Sequence, residues 1–383
     1  MRKVIVMITA LMMVAGFLTP GESAKQPIKI GALFSITGSN APLGVPEKNT
    51  VEMIAEEINA AGGINGAKIE LIIYDTEGNN TKALTLAKKL IHQDNVVGIV
   101  GPTLSGTSMA AIPAVEEAEV PMISCAASVK IIEPVKKWVF KTANTDRLVI
   151  QRLFTYMQEK GIKKIAIICV DNPYGASGKE EMTRLAPQYG ITIVANEGFG
   201  QEDTDMTTQL TKIKSTDAQA VICWGTNPGP GRIAKGMKQL GMTIPLYQSH
   251  GVANPQFIQQ AEGAAEGNLL FASRLIVAEQ LPNSDPAKKA LMAYKSKYEA
   301  KYGKGTVSTF GGHAYDAMWI MVEAIKRAGG PDRAKVRNEI EKTKNFIGMT
   351  GIFNMSPQDH MGLGLDSLVL ITVKGGKWVY LPK

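Results

Sequence analysis

Residues 96–124 read VVGIVGPTLSGTSMAAIPAVEEAEVPMIS. A short apolar run, Val96–Val100, gives way to a loop of glycine, proline and hydroxyls. An amphipathic stretch follows from Ser105 to Glu117, and then a second apolar run, Val120–Ser124. Buried strands alternating with helices of this length build parallel βαβ units. The same alternation extends toward the amino terminus, with strands at Ile28–Phe34 and Lys68–Asp75. Helices follow at Glu47–Ala61, closing on Gly62-Gly63, and at Thr81–His92. It then begins again: strand Lys164–Val170, helix Ala176–Tyr189, strand Ile191–Ala195, helix Thr207–Lys214, strand Ala218–Trp224, helix Arg232–Leu240 and strand Ile244–Tyr247. Beyond Phe271 helices are predicted at Asp285–Lys301, Val307–Arg327 and Asp332–Lys342. The chain closes on a hairpin, Ser367–Val373 and Lys377–Leu381, turned by Gly375-Gly376. The fold class is α/β, with two doubly wound Rossmann-like lobes. The late elements must pack on lobes already formed, so the chain crosses between lobes more than once and forms a hinge over a closing cleft.

A length of 383 residues exceeds what one hydrophobic core usually serves, in agreement with two lobes. With 45% hydrophobic and 20% charged residues the chain has a globular balance. The net charge of +7 is dispersed, without a Lys/Arg run interleaved with aromatics, so nucleic acid is not an expected partner. The four histidines have no metal-ligand spacing and no Walker or Gly-x-Ser-x-Gly motif occurs; no cofactor and no enzymatic activity are expected. Gly229-Pro-Gly231 and Gly362-Leu-Gly364 follow no strand in the dinucleotide arrangement and read as turns.

At the amino terminus, Arg2 and Lys3 precede an apolar run from Val4 to Leu18 and small residues ending at Ala24. As a helix that run spans roughly 22 Å, short of a ~30 Å hydrocarbon core, which makes residues 1–24 a secretory signal. The remaining chain is expected to be soluble and periplasmic or otherwise exported. It is also expected to be monomeric, since nothing reads as a coiled coil or an apolar interface. Cys169 and Cys223 fall in buried strands, where free, inert thiols are the better reading and a disulfide between them the alternative.

In wound sheets ligands sit beyond the carboxyl ends of the strands, so the loops there carry the candidates. Gly101–Ser108 offers hydroxyls and a helix start whose N–H groups either are capped locally or receive an anion. Ser124–Ser128 is a second small, hydroxylated loop. Ser105 and Ser128, with nearby backbone N–H groups, form a candidate carboxylate site. From the second lobe come Asp171–Gly175, Trp224–Asn227 and Gln248–Gly251, which mix aromatic surface with polar tips. In each case a structural role competes: Asp171 as a turn cap, Trp224 as core, His250 as a satisfied structural histidine.

Ile28–Gly38, Ile58–Gly66, Val100-Gly-Pro102, Val120–Ser124, Asp171-Asn-Pro-Tyr-Gly175, Ala264-Ala-Glu-Gly267 and Tyr315 resemble, in this order, the type I periplasmic binding proteins. The resemblance is to the leucine/isoleucine/valine-binding branch that serves ABC importers, and it extends over essentially the whole chain after the signal. It implies two lobes joined by a three-crossing hinge, lobe 1 as 25–144 plus 274–365 and lobe 2 as 145–273 plus 366–383. By the same resemblance Ser105, Ser128 and the Ala126 backbone hold a ligand carboxylate, and Tyr174 covers the ligand. Asn227 and Phe310 line the pocket, and a permease and an ATPase are the partners.

Two positions depart from that pattern. Leu43 stands where the branched-chain receptor has a tyrosine, and His250 where it places a glutamate against the ligand's ammonium group. Two ligand classes therefore stay open. One is a branched-chain or related amino acid, the family default; the other is an aromatic or 2-keto carboxylate without an amino group. A sensor passing occupancy to a signalling receptor is the rival to transport.

Overall fold

The computed structural model describes residues 25–382; the expected signal segment lies outside the described residues. Along the chain run β1 (Ile28–Phe34), α1 (Ala41–Ala60), β2 (Ile69–Asp75), α2 (Asn80–His92), β3 (Gly98–Val100), α3 (Ser105–Glu117), β4 (Met122–Ser124) and β5 (Val139–Lys141). There follow α4 (Asp146–Glu159), β6 (Lys164–Val170), α5 (Pro173–Leu185), β7 (Thr192–Phe199), α6 (Thr207–Lys214), β8 (Ala220–Trp224), α7 (Gly229–Gln239), β9 (Leu246–Gln248), α8 (Pro255–Ala261) and β10 (Leu269–Ser273). The last part holds α9 (Lys288–Tyr302), α10 (Thr309–Ala328), α11 (Arg333–Glu341), the short pair β11 (Phe346–Ile347) and β12 (Ile352–Phe353), and the hairpin β13 (Leu368–Lys374) and β14 (Lys377–Tyr380).

Two sheets result. The first is parallel throughout, in the order β2-β1-β3-β4-β5. The second runs β14-β13-β10-β9-β8-β6-β7, parallel from β7 to β10 and antiparallel at β13 and β14. The winding direction reverses between β1 and β3 in one sheet and between β6 and β8 in the other, and crevices open at such reversals. The central strands β3, β4 and β8 are buried along their length, as expected of parallel strands covered by helices on both faces.

One hydrophobic core draws on residues from Ile28 to Phe140 and from Ala314 to Leu363. The other draws chiefly on Val149 to Val277 and Leu368 to Val373. The chain thus passes from the first core to the second, back, and across again, three passes in all.

Several elements differ from the sequence expectation. Helix α1 starts at Ala41 rather than Glu47, because Pro42 lies in the first turn, where its missing N–H is not needed. A Cβ at Gly44 would stand 2.1 Å from the Ser35 carbonyl oxygen, so only glycine lets α1 pass the end of β1. Gly229-Pro-Gly231 is not a turn but the first turn of α7, with Pro230 again at a tolerated position. Sequence reading omitted α4, α8, β5 and β10. Cys169 lies level with Trp224 and Ile168 with Cys223, so the two cysteines point to opposite faces of the sheet. All three cysteines are free.

Candidate functional site

The loops after the strands of both sheets meet around one cavity of about 230 Å³. From the first sheet come Asn40 and Leu43 after β1, Thr103–Gly106 after β3, and Cys125–Ala127 after β4. From the second come Asn172–Tyr174 after β6, Gln201 after β7, Thr226 after β8 and His250-Gly251 after β9. Phe310 and His313, one turn apart at the start of α10, complete the wall. The two sides touch: a Cβ at Gly106 would lie 3.2 Å from Pro173. Outside the cavity Arg147 at the start of α4 bonds both Glu181 of α5 and Glu133, the latter at 2.6 Å.

The amino terminus of α3 opens into this cavity. Its N-cap residue is Leu104, which has no side-chain oxygen to accept the first-turn N–H groups; Thr107 Oγ1 reaches back only to the Leu104 N–H, at 3.2 Å. The first-turn N–H groups of Ser105 and Gly106 are left for an incoming acceptor, at the positive end of the helix dipole. Ser105 Oγ accepts the Ser128 N–H at 3.2 Å, which leaves the hydroxyl proton available to a ligand. Ser128 itself does not line the cavity: its hydroxyl donates to Ser177 Oγ of α5 at 2.8 Å. Ala126 lines it, but its N–H turns back to Ser124 Oγ at 3.1 Å.

Leu43, Tyr174, Phe310 and Leu104 supply apolar surface. Tyr174 is held by Asn172, whose Oδ1 accepts the Tyr174 and Gly175 N–H groups as the N-cap of α5. Trp224 is core: fully buried, its ring lies 5.8 Å from both Tyr174 and His250. A Cβ at Gly178 would fall 2.3 Å from the indole. Asn227, expected in the wall, sits behind it, giving its Nδ2 proton to Asn254 Oδ1 at 3.0 Å. Its carbonyl accepts from the Gln201 amide at 2.9 Å, and Gln201 and Thr226 take the wall position.

His250 is buried, with Nδ1 3.4 Å from the Tyr174 hydroxyl and Nε2 without a partner. His313 Nδ1 meets Thr350 Oγ1 at 2.9 Å. Burial, and then the nearby Lys141 ammonium, press the His250 imidazole down to about 3; in His313 burial is joined by His250 and Lys141, with the same result. Both rings are neutral near pH 7. Lys141 is itself wholly buried, donates to the Ala127 carbonyl at 2.8 Å, and is lowered by burial to about 7 against the pull of Asp146.

No aspartate or glutamate lines the cavity among the described residues. Asp171 is exposed and borders a separate recess with Lys179 and Glu197. Glu47 lies behind Thr103, which donates its hydroxyl to Glu47 Oε2, and burial raises this carboxyl well above its ordinary range. Asp316 lies behind Thr350, raised by burial to about 7. Asp146 Oδ1 accepts the Val129 and Arg147 N–H groups, while its Oδ2 is buried without a partner.

Sequence reasoning singled out Leu43, Ser105, Ala126, Tyr174, His250 and Phe310, and all six border the cavity; Ser128 and Asn227 do not. Leu104, Cys125, Gln201 and His313 were missed. The signal for His313 was its place one turn after Phe310 on a helix already expected.

A family model described as "Periplasmic binding protein" matches residues 27–377. A leucine-, isoleucine-, valine-, threonine-, and alanine-binding protein of Pseudomonas aeruginosa is 29% identical, over 89% of each chain. The Leu/Ile/Val-binding protein BraC3 of Rhizobium johnstonii is 26% identical over 82% of each. Among solved structures, an extracellular ligand-binding receptor from Rhodopseudomonas palustris HaA2 superposes with a TM-score of 0.87 at 29% identity, covering 93% of this chain and 99% of that one. The branched-chain amino acid transporter substrate binding protein LivJ of Streptococcus pneumoniae, in complex with isoleucine, gives 0.81 at 28% identity, covering 92% and 97%.

Proposed function

The chain belongs to the periplasmic binding protein family, and from that premise we infer that it is the exported solute receptor of an ABC importer. It takes a small carboxylate with an apolar body into the cleft between its lobes. The observation that carries this reading is the single cavity beyond the carboxyl ends of both sheets, into which the uncapped start of α3 points. Ser105 Oγ and the N–H groups of Ser105 and Gly106 receive the carboxylate; Leu43, Leu104, Tyr174 and Phe310 enclose the body. Relatives named for leucine, isoleucine and valine support this ligand class, with the branched-chain amino acids as its reference case. That they are named as binding proteins supports binding without chemistry as the task.

Lobe 1 comprises 25–144 plus 274–365, and lobe 2 comprises 145–273 plus 366–383. The passes between them act as the hinge, and the closed form is what the permease reads, with the receptor acting as a monomer. Among the described residues no helix is long and apolar enough to cross a membrane.

The test is a thermal-shift and calorimetric screen of branched-chain and aromatic acids, amino and non-amino, each beside its carboxamide. Acids raise the melting temperature and their amides do not. Equal shifts from acids and amides, or no shift from any acid at millimolar concentration, refute the reading.

A further inference from the structure

We propose that the solute of this cleft carries no charged ammonium group: it is a monocarboxylate whose second polar atom, facing His250 and His313, is an uncharged oxygen. The inference rests on the carboxylate reading above and narrows it to one chemical class.

Two charged ends of an amino acid need two kinds of wall. The start of α3 suits the carboxylate. The far wall would have to offer the ammonium an anion, and among the described residues it offers none. No carboxylate among them belongs to the lining: Glu47 and Asp316 lie behind Thr103 and Thr350, and Asp146, whose Oδ1 accepts two backbone N–H groups, stands outside it; Glu47 Oε1 and Asp146 Oδ2 are buried without a partner. The ionisable groups that do face the cavity are Cys125, Tyr174, His250 and His313. Burial keeps the Cys125 thiol and the Tyr174 phenol protonated.

The nearest buried cation, Lys141, sits close enough to act on both histidines. In its protonated form that ammonium disfavours a second cation nearby. An ammonium moved from water into this site keeps the desolvation cost without a counter-charge. A neutral oxygen does not, and the neutral rings of His250 and His313, both part of the lining, are hydrogen-bonding groups suited to it.

Matched pairs that differ only at the α-substituent test this directly. The purified chain is titrated calorimetrically with L-leucine and 4-methyl-2-oxopentanoate, and with L-phenylalanine and 3-phenyl-2-oxopropanoate. The ammonium-free member of at least one pair is expected to bind about tenfold or more tightly than its amino acid. If in neither pair the ammonium-free member binds more tightly than its amino acid, while ligands do bind, the inference is overturned and the carboxylate reading stands. If no member of either pair binds at millimolar concentration, both fall.

His250→Glu places an acid in the wall and is expected to shift the ranking toward the amino acids by about tenfold. A folded variant with the wild-type ranking removes His250 from the assignment and overturns the account of the far wall. If the variant does not fold, the wild-type pairs decide alone.

Discussion

Ser105→Ala removes one oxygen with two duties, and the two are separable by experiment. In the free protein Ser105 Oγ accepts the Ser128 N–H at 3.2 Å, in a site where both residues are buried. Deleting it leaves a buried donor without a partner, a cost of about 1–3 kcal/mol in stability. At about 2–4 °C per kcal/mol for a domain of 150–250 residues, the ligand-free melting temperature falls by several degrees. In the complex the same hydroxyl donates to the ligand carboxylate, and a hydrogen bond to a charged group contributes about 1.5–3 kcal/mol, roughly a ten- to hundredfold change in Kd. With ligand at about one hundred times the wild-type Kd, binding adds ~2.7 kcal/mol of stability to the wild type. For a variant weakened a hundredfold, the same concentration adds only about 0.4 kcal/mol. Thermal shift with and without ligand, followed by calorimetry, reads both numbers. A variant that melts lower but binds every carboxylate with the wild-type Kd refutes the placement of the anion at α3, because only the structural duty would then be real.

Three further outcomes follow from named contacts. Glu181 accepts two bonds from Arg147, each at 3.0 Å, and more from Arg184, and these neighbours hold its carboxyl below the ordinary range despite desolvation. A lowered folded value means that the stabilisation is present above the unfolded value and is lost as pH falls through the folded one. Glu181→Gln is therefore expected to be less stable than wild type in denaturant melts at pH 7, with the gap closing on acidification below the ordinary glutamate range; a pH-independent gap contradicts the ion pairing. His250 and His313 lie near 3 when folded, so the unfolded chain binds more protons between about pH 3 and 6.5. Stability then drops as pH falls through that window, by up to about 1.4 kcal/mol per unit per histidine. His313→Gln flattens this acid limb, and an unchanged slope rejects the neutral buried imidazole. Gly44→Ala sets a methyl 2.1 Å from the Ser35 oxygen, and a clash with backbone is expected to cost about 1–3 kcal/mol or more, read as a lowered midpoint in urea.

Much of the scaffold is readable because local pattern and tertiary burial agree. Lys164–Val170 is an unbroken apolar run between charged flanks, and Thr207–Lys214 carries Leu210 and Ile213 on its buried side; both ranges stand as read. α4 is different. Val149, Ile150, Leu153, Phe154 and Met157 have the spacing of one helical face behind the Thr145 cap, a signal present in the sequence that the reading passed over. β5 is only three residues long, and β10 pairs on one side with β13, about a hundred residues further on.

At the site, glycine and hydroxyls after β3 fit either a locally capped turn or an anion-binding one. That the cap is Leu104, and so leaves the N–H groups free, depends on a helix boundary. His250 follows a strand of one sheet and His313 lies in a helix packed on the other, so nothing local places them on one wall. Asn227 misses the wall by one residue, because Thr226 ends the strand-side approach and Asn227 turns inward to Asn254.

The three passes of the chain also govern when a newly emerging polypeptide can become a receptor. β10 is paired on one flank with β9 and on the other with β13, whose residues begin at Leu368. Until that last segment is in place, β10 presents an open row of backbone donors and acceptors, a template for mispairing with other chains. The first sheet waits as well, since α10, beginning at Thr309, completes its core. Folding is thus completed from the end of the chain rather than from its start, and a molecule cut short before residue 368 keeps a sticky edge in place of a finished second lobe.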